Sequence, residues 1–333
     1  MVYRYRIATV FGGSGFIGRH LIRRLARTGC VIRVPSRQPA DAAFLRTLGS
    51  VGQIVPLPVT IRDDRSLAYA IRGADLVINL IGILAPSGGG SSFEAVQAEL
   101  PGRIARIAKQ EGVARLVQMS AIGADAASPS GYASSKAEGE RRVLEAFPEA
   151  TILRPSIVFG PEDGFFNRFG AMSLVSPFLP LIGGGKTRFQ PVYVGDVCDA
   201  VMQALATPDS MGRTYELGGP RVYTFKELMQ LVLKETGRYK RLLEIPWWLA
   251  TLQGAVLEHL PGKMLTRDQV RLLRKDNVVS GTLPGLAELG VTPTAAEVII
   301  PTYMDKFRIG GRFAAHGAAD GPQPGNGGPQ PRA

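Results

Sequence analysis

Tyr132 and Lys136 stand four residues apart at what reads as the start of a helix, so both side chains leave from one side of it. A lysine ammonium beside a phenol favours the phenolate, so the pair is expected to lower the tyrosine pKa and make it usable as an acid or base near neutral pH. Ser120 ends an apolar run twelve residues earlier, where its hydroxyl is placed to hydrogen-bond a substrate carbonyl. A single Tyr-xxx-Lys pair arises readily by chance. Its weight depends on where it falls in the chain, and that is set by an earlier stretch.

Residues 5 to 18 read Tyr-Arg-Ile-Ala-Thr-Val-Phe followed by Gly-Gly-Ser-Gly-Phe-Ile-Gly. The apolar run Ile7 to Phe11 suits a strand buried on both faces. Gly12, Gly15 and Gly18 follow at three-residue intervals, the spacing of a turn that binds a dinucleotide. There the first glycine makes the turn, the second lets a pyrophosphate touch backbone, and the third lets helix pack on strand. The helix start, with Ser14, Phe16 and Ile17, supplies free N–H groups and a dipole that favours anions. The helix Phe16 to Thr28 keeps Ile17, Leu21, Ile22 and Leu25 on one stripe. The plain alternative is a glycine-rich strand–helix turn with no ligand, but strand, loop, helix and second strand all come at the expected distances.

A site for NAD(H) usually carries an acid near the end of the second strand to hold the ribose 2′-hydroxyl. Here that place reads Val34-Pro35-Ser36-Arg37, with no acid before Asp41. Ser36 and Arg37 suit a 2′-phosphate, so NADP(H) is expected over NAD(H), which remains possible. Arg37 stacked on adenine is the competing role.

The elements that must position these residues alternate. A short helix spans Asp41 to Leu48 and a third strand Gln53 to Leu57; a helix with Leu67, Ala70 and Ile71 leads to a fourth strand, Leu76 to Ile81. A Gly- and Ser-rich loop, Ala85 to Ser92, precedes a long helix, Phe93 to Glu111, and a fifth strand, Leu116 to Ser120. The Tyr132 helix runs to about Ala146 and another strand covers Thr151 to Pro155. This predicts an α/β fold: a Rossmann-type doubly wound parallel sheet with a smaller mixed α/β C-terminal domain. Ligands in such sheets sit at the carboxyl ends of the strands, so Gly12, Ser36, Gly82 and Ser120 are expected to share one crevice. The expected division is 1–160 for nucleotide binding, with later segments returning to the sheet, 161–309 for the smaller domain, and a disordered tail, 310–333, whose Gly, Pro, Ala and Gln bury too little to order it.

In the second half, Asp196 to Ala206 reads as a helix, and Thr224-Phe-Lys-Glu227 and Thr266-Arg-Asp-Gln269 are capping boxes. Residues 246–275 pair Trp247 and Trp248 with Leu252, Val256 and Leu257, then with Arg267, Arg271, Arg274 and Lys275. This is either a membrane-surface or partner-binding element, or two core helices with a tryptophan cap.

Composition bounds the function. Two cysteines, Cys30 and Cys198, make neither a disulfide framework nor a metal cluster, and three scattered histidines give no metal site. The first strand begins so early that no cleavable signal is expected, and the longest apolar run, Leu76 to Pro86, falls short of the ~18 residues of a span. The formal charge is +11, and every charged residue from 1 to 37 is an arginine. A basic surface favours phosphates or anionic lipid. Without a recognition module or interleaved aromatics it does not point to nucleic acid.

Gly12 to Gly18, Tyr132-xxx-Lys136 and Arg154-Pro-Ser-Ile-Val-Phe-Gly-Pro161 together resemble the extended and atypical short-chain dehydrogenase/reductase superfamily. Phe147-Pro-Glu-Ala150, Gly160-Pro-Glu-Asp-Gly-Phe-Phe-Asn-Arg-Phe169, Asp268-Gln-Val and Asp276-Asn-Val-Val279 narrow the match. They resemble the NAD(P)H-binding accessory subunit of respiratory complex I and its bacterial relatives, over roughly residues 5 to 308. That resemblance implies a tightly held NADPH and a structural or regulatory role on the peripheral arm, near the membrane and the quinone site. It implies partners among the peripheral-arm subunits and a peripheral place on the cytoplasmic face of the inner membrane, or the matrix side in a mitochondrion. Relatives are linked to ubiquinone synthesis. By motif, Gly12, Gly15 and Gly18 take the pyrophosphate, Ser36 and Arg37 the 2′-phosphate, and Tyr132 and Lys136 the nicotinamide ribose. Pro155, Ser156 and Ile157 lie by the nicotinamide. The superfamily often has an aspartate facing adenine after the third strand; here that place is Thr60. The competing function is an active NADP-dependent reductase or epimerase, in which Ser120, Tyr132 and Lys136 do chemistry on a quinone precursor.

Overall fold

The computed structural model describes residues 5–86, 91–259 and 265–311. In chain order the first half runs β1 (Ile7–Phe11), α1 (Phe16–Ala26), β2 (Val31–Ser36), β3 (Ile54–Pro58), α2 (Asp64–Ile71), β4 (Leu76–Asn79), α3 (Leu100–Gln110), β5 (Arg115–Met119), α4 (Gly131–Ala146) and β6 (Thr151–Pro155). The second half is β7 (Val158–Phe159), α5 (Phe166–Val175), β8 (Phe178–Ile182), β9 (Arg188–Phe189), β10 (Val192–Tyr193), α6 (Val194–Ala206), β11 (Thr214–Leu217), β12 (Tyr223–Thr224), α7 (Phe225–Thr236), β13 (Arg241–Ile245), α8 (Trp247–Leu257), α9 (Arg267–Leu272), α10 (Ala296–Ile299) and α11 (Pro301–Met304).

Seven of the strands form one parallel sheet in the order β11-β6-β5-β4-β1-β2-β3. The predicted doubly wound sheet is present, and its strand order reverses at β1, between β2 and β4. In such a sheet every carboxyl end lies on one edge, so the residues after β1, β4 and β5 become neighbours without being near in sequence. The central strands are buried on both faces: Leu76, Val77, Ile78, Leu116 and Val117 are essentially inaccessible. One core joins α1 and α6 on one face of the sheet, and a second joins α2, α3 and α4 on the other. A third packs Phe159, Phe166, Phe189, Phe225, Ile300 and Met304 in the C-terminal layer, whose paired strands are short.

Some elements differ from the sequence expectation. β4 stops at Asn79 instead of Ile81. The reason is Asn79 itself, buried, with Nδ2 donating to Gln118 Oε1 (2.8 Å) and Oδ1 accepting from the Ile81 N–H (3.1 Å), which turns the chain out of the ladder. The chain from Pro39 to Leu48 winds as a 3-10 helix. The helix expected over Phe93 to Glu111 has π geometry from Glu94 to Glu99 before α3 begins. That widened turn brings the Gln97 carbonyl against Gly139 of α4, where any Cβ would stand 2.0 Å from it. Both expected capping boxes are closed, at Thr224/Glu227 and Thr266/Gln269. Most of the tail expected to lack order, and part of the loop from Ala85, lie outside the described residues.

The two tryptophans part company. Trp247 lies over Gly183, where a Cβ would meet its ring at 2.1 Å, while Trp248 is 69% exposed. α8 carries no charged residue. The basic residues beyond it are largely engaged within the protein: Arg267 with Glu258 (2.5 Å), Lys275 with Asp125 (3.1 Å), and Arg274 over the Trp247 ring (5.3 Å). Among the described residues no helix is long and apolar enough to cross a membrane.

Candidate functional site

The glycine loop is built by β1 and α1. Gly12 has φ +74°, a conformation other residues adopt at a cost, and a Cβ on it would stand 3.1 Å from the Leu80 carbonyl carbon after β4. The Gly12 carbonyl accepts from the Gly15 N–H at 3.0 Å, closing the turn. A Cβ on Gly18 would sit 2.4 Å from the Gly12 oxygen and 2.5 Å from the Gly13 oxygen, so α1 rests on the loop where no side chain fits. Gly15 is different. A Cβ there would meet a single atom, the Gly12 oxygen at 3.2 Å, and otherwise open space. Its side chain is therefore excluded by little in the protein itself; the open side is where a pyrophosphate would approach backbone. Gly15 is the N-cap of α1 and offers no side-chain cap, and the first turn holds no acid, so the helix start keeps donors and positive field for an anion. Ser14 is half-buried beside it, and Phe16 packs at Gly160 while the Ile17 carbonyl faces Cys198. Gly13, unassigned from sequence, is also closely packed, though less than Gly18: a Cβ there would touch Ile22 at 2.8 Å.

Ser36 ends β2, its hydroxyl donating to the Gln38 carbonyl at 3.0 Å. Arg37 follows, exposed, and makes no ion pair among the described residues. Thr60 is exposed just past β3, its N–H donating to Ser66 Oγ at 3.0 Å.

Across the switch point, β4, β5 and α4 bring Gly82, Ser120 and Lys136 together. Lys136 is 7% exposed and its ammonium reaches the carbonyl of Met119, the residue before Ser120, at 3.5 Å. A Cβ on Gly82 would stand 3.2 Å from Lys136 Nζ. The same Nζ lies 6.0 Å from the centre of the Tyr132 ring. Ser120 is 5% exposed and its Oγ has no hydrogen-bond partner among the described residues. A buried hydroxyl is rarely left so, and this one suits a ligand oxygen or amide arriving at the crevice. The open glycine turn thus lies after β1, and an orphan hydroxyl after β5, next to Met119, whose carbonyl Lys136 reaches.

The expected lowering of the tyrosine pKa is overturned. Burial pushes the Tyr132 phenol up to about 12, and burial pulls the Lys136 ammonium down to about 8, with Glu140 opposing that fall. The ammonium is too far from the phenol ring to offset the loss of water around both groups. Glu140, one turn along α4, also holds Arg154 through two contacts of 2.9 and 2.5 Å.

Pro155, Ser156 and Ile157 cross from β6 towards β7. The Pro155 carbonyl accepts from the Ile122 N–H at 2.9 Å. Ser156 Oγ donates to Asn277 Oδ1 at 2.6 Å, and the Ile157 N–H reaches the same oxygen at 3.2 Å. Asn277 Nδ2 reaches the Ile122 carbonyl at 3.3 Å. Asn277 is thus a clamp on this part of the site that residue reasoning gave no role. Asp268 is another: it holds the backbone at Gly131 and Tyr132. Their only signal in the sequence was membership of motifs carrying the family resemblance.

The fold and the glycine turn define a nucleotide-binding protein of the reductase and epimerase kind, and residues 8–218 match the model of that class: the chain belongs to the NAD dependent epimerase/dehydratase family. Within it, the chain is 36% identical to NADH dehydrogenase [ubiquinone] 1 alpha subcomplex subunit 9, mitochondrial, of Arabidopsis thaliana, over 92% of this chain and 79% of the relative. The Mus musculus subunit of the same name is 36% identical over 88% and 78%. Homology to this accessory subunit of complex I therefore spans both the sheet and the C-terminal layer. Among solved structures, the NADPH-dependent quinone oxidoreductase QOR2 of Escherichia coli, complexed with NADPH, superposes with a TM-score of 0.70 at 20% identity, covering 89% of this chain and 99% of that one. At that identity the likeness is one of fold.

Proposed function

We propose that this chain is an accessory subunit of respiratory NADH:ubiquinone oxidoreductase that holds NADP(H) as a structural ligand and does not turn it over. The observation that carries the reading is the 36% identity to subunit 9 across 92% of the chain. Two features of the site support the nucleotide. The phosphate turn is open at Gly15, and β2 ends in Ser36, followed by an exposed Arg37 that makes no ion pair among the described residues, where an NAD(H) site would place an acid. Gly12 to Gly18 take the pyrophosphate, Ser36 and Arg37 the 2′-phosphate, and Tyr132 and Lys136 the nicotinamide ribose, with Ser120 at the nicotinamide and Thr60 towards adenine. A phenol held neutral by burial suits a grip on ribose better than a base. The protein lies peripherally at the inner membrane among peripheral-arm subunits, turning the exposed face of α8, with Trp248, Leu252 and Val256, towards membrane or partner. Affinity purification from the native membrane should bring down complex I subunits, and the purified chain should release NADPH on denaturation. Purification as a free monomer without nucleotide would overturn the proposal. Arg37→Asp should invert the NADPH/NADH affinity ratio; an unchanged ratio refutes the 2′-phosphate role.

A second reading is kept by one observation, the Ser120 hydroxyl, without a partner among the described residues and next to Met119, whose carbonyl Lys136 reaches. It makes the chain an NADP-dependent reductase or epimerase, with a substrate in quinone metabolism. Tyr132→Phe with NADPH affinity measured alongside discriminates: full complementation of a deletion strain excludes chemistry at the phenol, whereas failed complementation with NADPH binding retained is the result expected of an enzyme.

A further inference from the structure

α4 carries Tyr132 in its first turn, and the N–H groups of a first turn have no partner within the helix. Ser130 caps one of them, its Oγ facing the Ala133 N–H at 3.4 Å. The rest of the cap comes from far along the chain. The Asp268 carboxylate accepts from the Gly131 N–H (2.8 Å), the Tyr132 N–H (3.1 Å) and Ser130 Oγ (2.8 Å). One carboxylate thus takes three donors at a helix start, where the dipole and the charge-assisted hydrogen bonds both favour an anion. Asp268 is held in turn. It stands in the first turn of α9, fixed by the Thr266/Gln269 capping box and by Val270, which is 1% exposed in a small core with Ile182, Ile245 and Ala250.

The neighbouring contacts follow the same route. Arg271 reaches the Pro129 carbonyl (3.4 Å), Lys275 pairs with Asp125 (3.1 Å), and Asn277 reaches the Ile122 carbonyl (3.3 Å). The segment from Asp268 to Asn277 therefore grips the loop between Ser120 and Tyr132 at both ends and in the middle. None of these contacts touches the glycine turn, Ser36 or Arg37.

We infer that Asp268 is a positioning residue: through the backbone of Gly131 and Tyr132 it sets the nicotinamide-ribose end of the site, and it makes that end, but not the adenosine end, depend on α9. The inference rests on the nucleotide reading above. Asp268 does not touch the nucleotide; it acts by placing Tyr132.

The test uses the full chain, titrated with NADPH and with 2′,5′-ADP, which lacks the nicotinamide ribose. Asp268→Ala should weaken NADPH about tenfold while 2′,5′-ADP stays within about twofold, and Asp268→Asn, which keeps an acceptor oxygen but not the charge, should fall between wild type and Asp268→Ala. NADPH should slow amide exchange at Gln269 to Leu272, and Asp268→Ala should abolish that protection. A merely structural role would weaken both ligands together; that result, or unchanged NADPH affinity, overturns the inference. If Asp268→Ala does not fold, Asp268→Asn carries the same comparison. If the wild type binds neither ligand, the nucleotide reading falls, and the inference about the nicotinamide end falls with it. Accelerated Tyr132 amide exchange in Asp268→Ala would then show that the backbone contact holds while its proposed purpose does not.

Discussion

A Cβ built on Gly82 would stand 3.2 Å from Lys136 Nζ, so the loop after β4 and the second turn of α4 meet closely at an ammonium. Gly82→Val is expected to push the lysine out of place and to weaken NADPH binding about tenfold, with the melting temperature little changed because Gly82 is exposed and the valine can displace the lysine tip. Nucleotide fluorescence titration beside a thermal melt checks both parts.

Gly15 and Gly18 separate binding from folding. Gly18→Ala forces a Cβ to within 2.4 Å of a backbone oxygen and is expected to cost about 2–3 kcal/mol of stability, read from denaturant midpoints. Gly15→Ala meets only one atom, at 3.2 Å, and is expected to fold with nearly wild-type stability yet lose most of its affinity for NADPH.

Lys136 predicts a pH dependence. Burial lowers its folded-state pKa from 10.5 to about 8, so between those values the unfolded chain binds the extra proton. The cost of burying the charge, on the order of 3 kcal/mol, is present in full below about pH 8 and is relieved as pH rises towards 10.5. Stability of the nucleotide-free protein should therefore climb through that range, and the climb should be absent in Lys136→Met. Above pH 10 the Tyr132 phenol, raised from 10 to about 12, binds the proton in the folded state, so its contribution falls as pH rises through 12. Chemical denaturation across pH 7 to 11 measures the Lys136 effect.

Glu140 and Arg154 form a bidentate pair in which the glutamate is only 6% exposed. Glu140→Gln leaves the guanidinium facing a neutral group in a largely dry place and is expected to destabilise by about 3 kcal/mol. Because Glu140 also supports the charge on Lys136, the same variant should lower the lysine pKa further. A Lys136 titration followed by NMR in this variant, shifted down from the wild-type value, is the expected result.

Much of the candidate site was legible because its signals are local. The turn at Gly12, the missing acid before Arg37 and the four-residue step from Tyr132 to Lys136 are each set by nearby residues and by the period of one element. The capping boxes at Thr224 and Thr266 were readable for the same reason. What escaped were effects with distant causes. β4 ends early because Asn79 meets Gln118 on the next strand. The Tyr132 phenol is raised because the chain around it excludes water, which no spacing of residues reports. The Arg267, Arg274 and Lys275 charges looked available to a surface, but they face Glu258, Trp247 and Asp125.

By itself, then, the sequence determined the alternation of strand and helix, the parallel sheet and the glycine turn that joins β1 to α1. Those follow from periodicity and from what glycine, proline and capping residues permit locally. Only the tertiary structure decided which later segment returns to the sheet, β11 beside β6, and that Asn277 closes on Ser156. It alone placed Asp268 at the start of α4, across a sequence separation of 136 residues from Tyr132. Hydrogen bonds between residues so far apart are fixed by the packing of whole elements, and the side chains that make them carry no local mark of the partner they will meet.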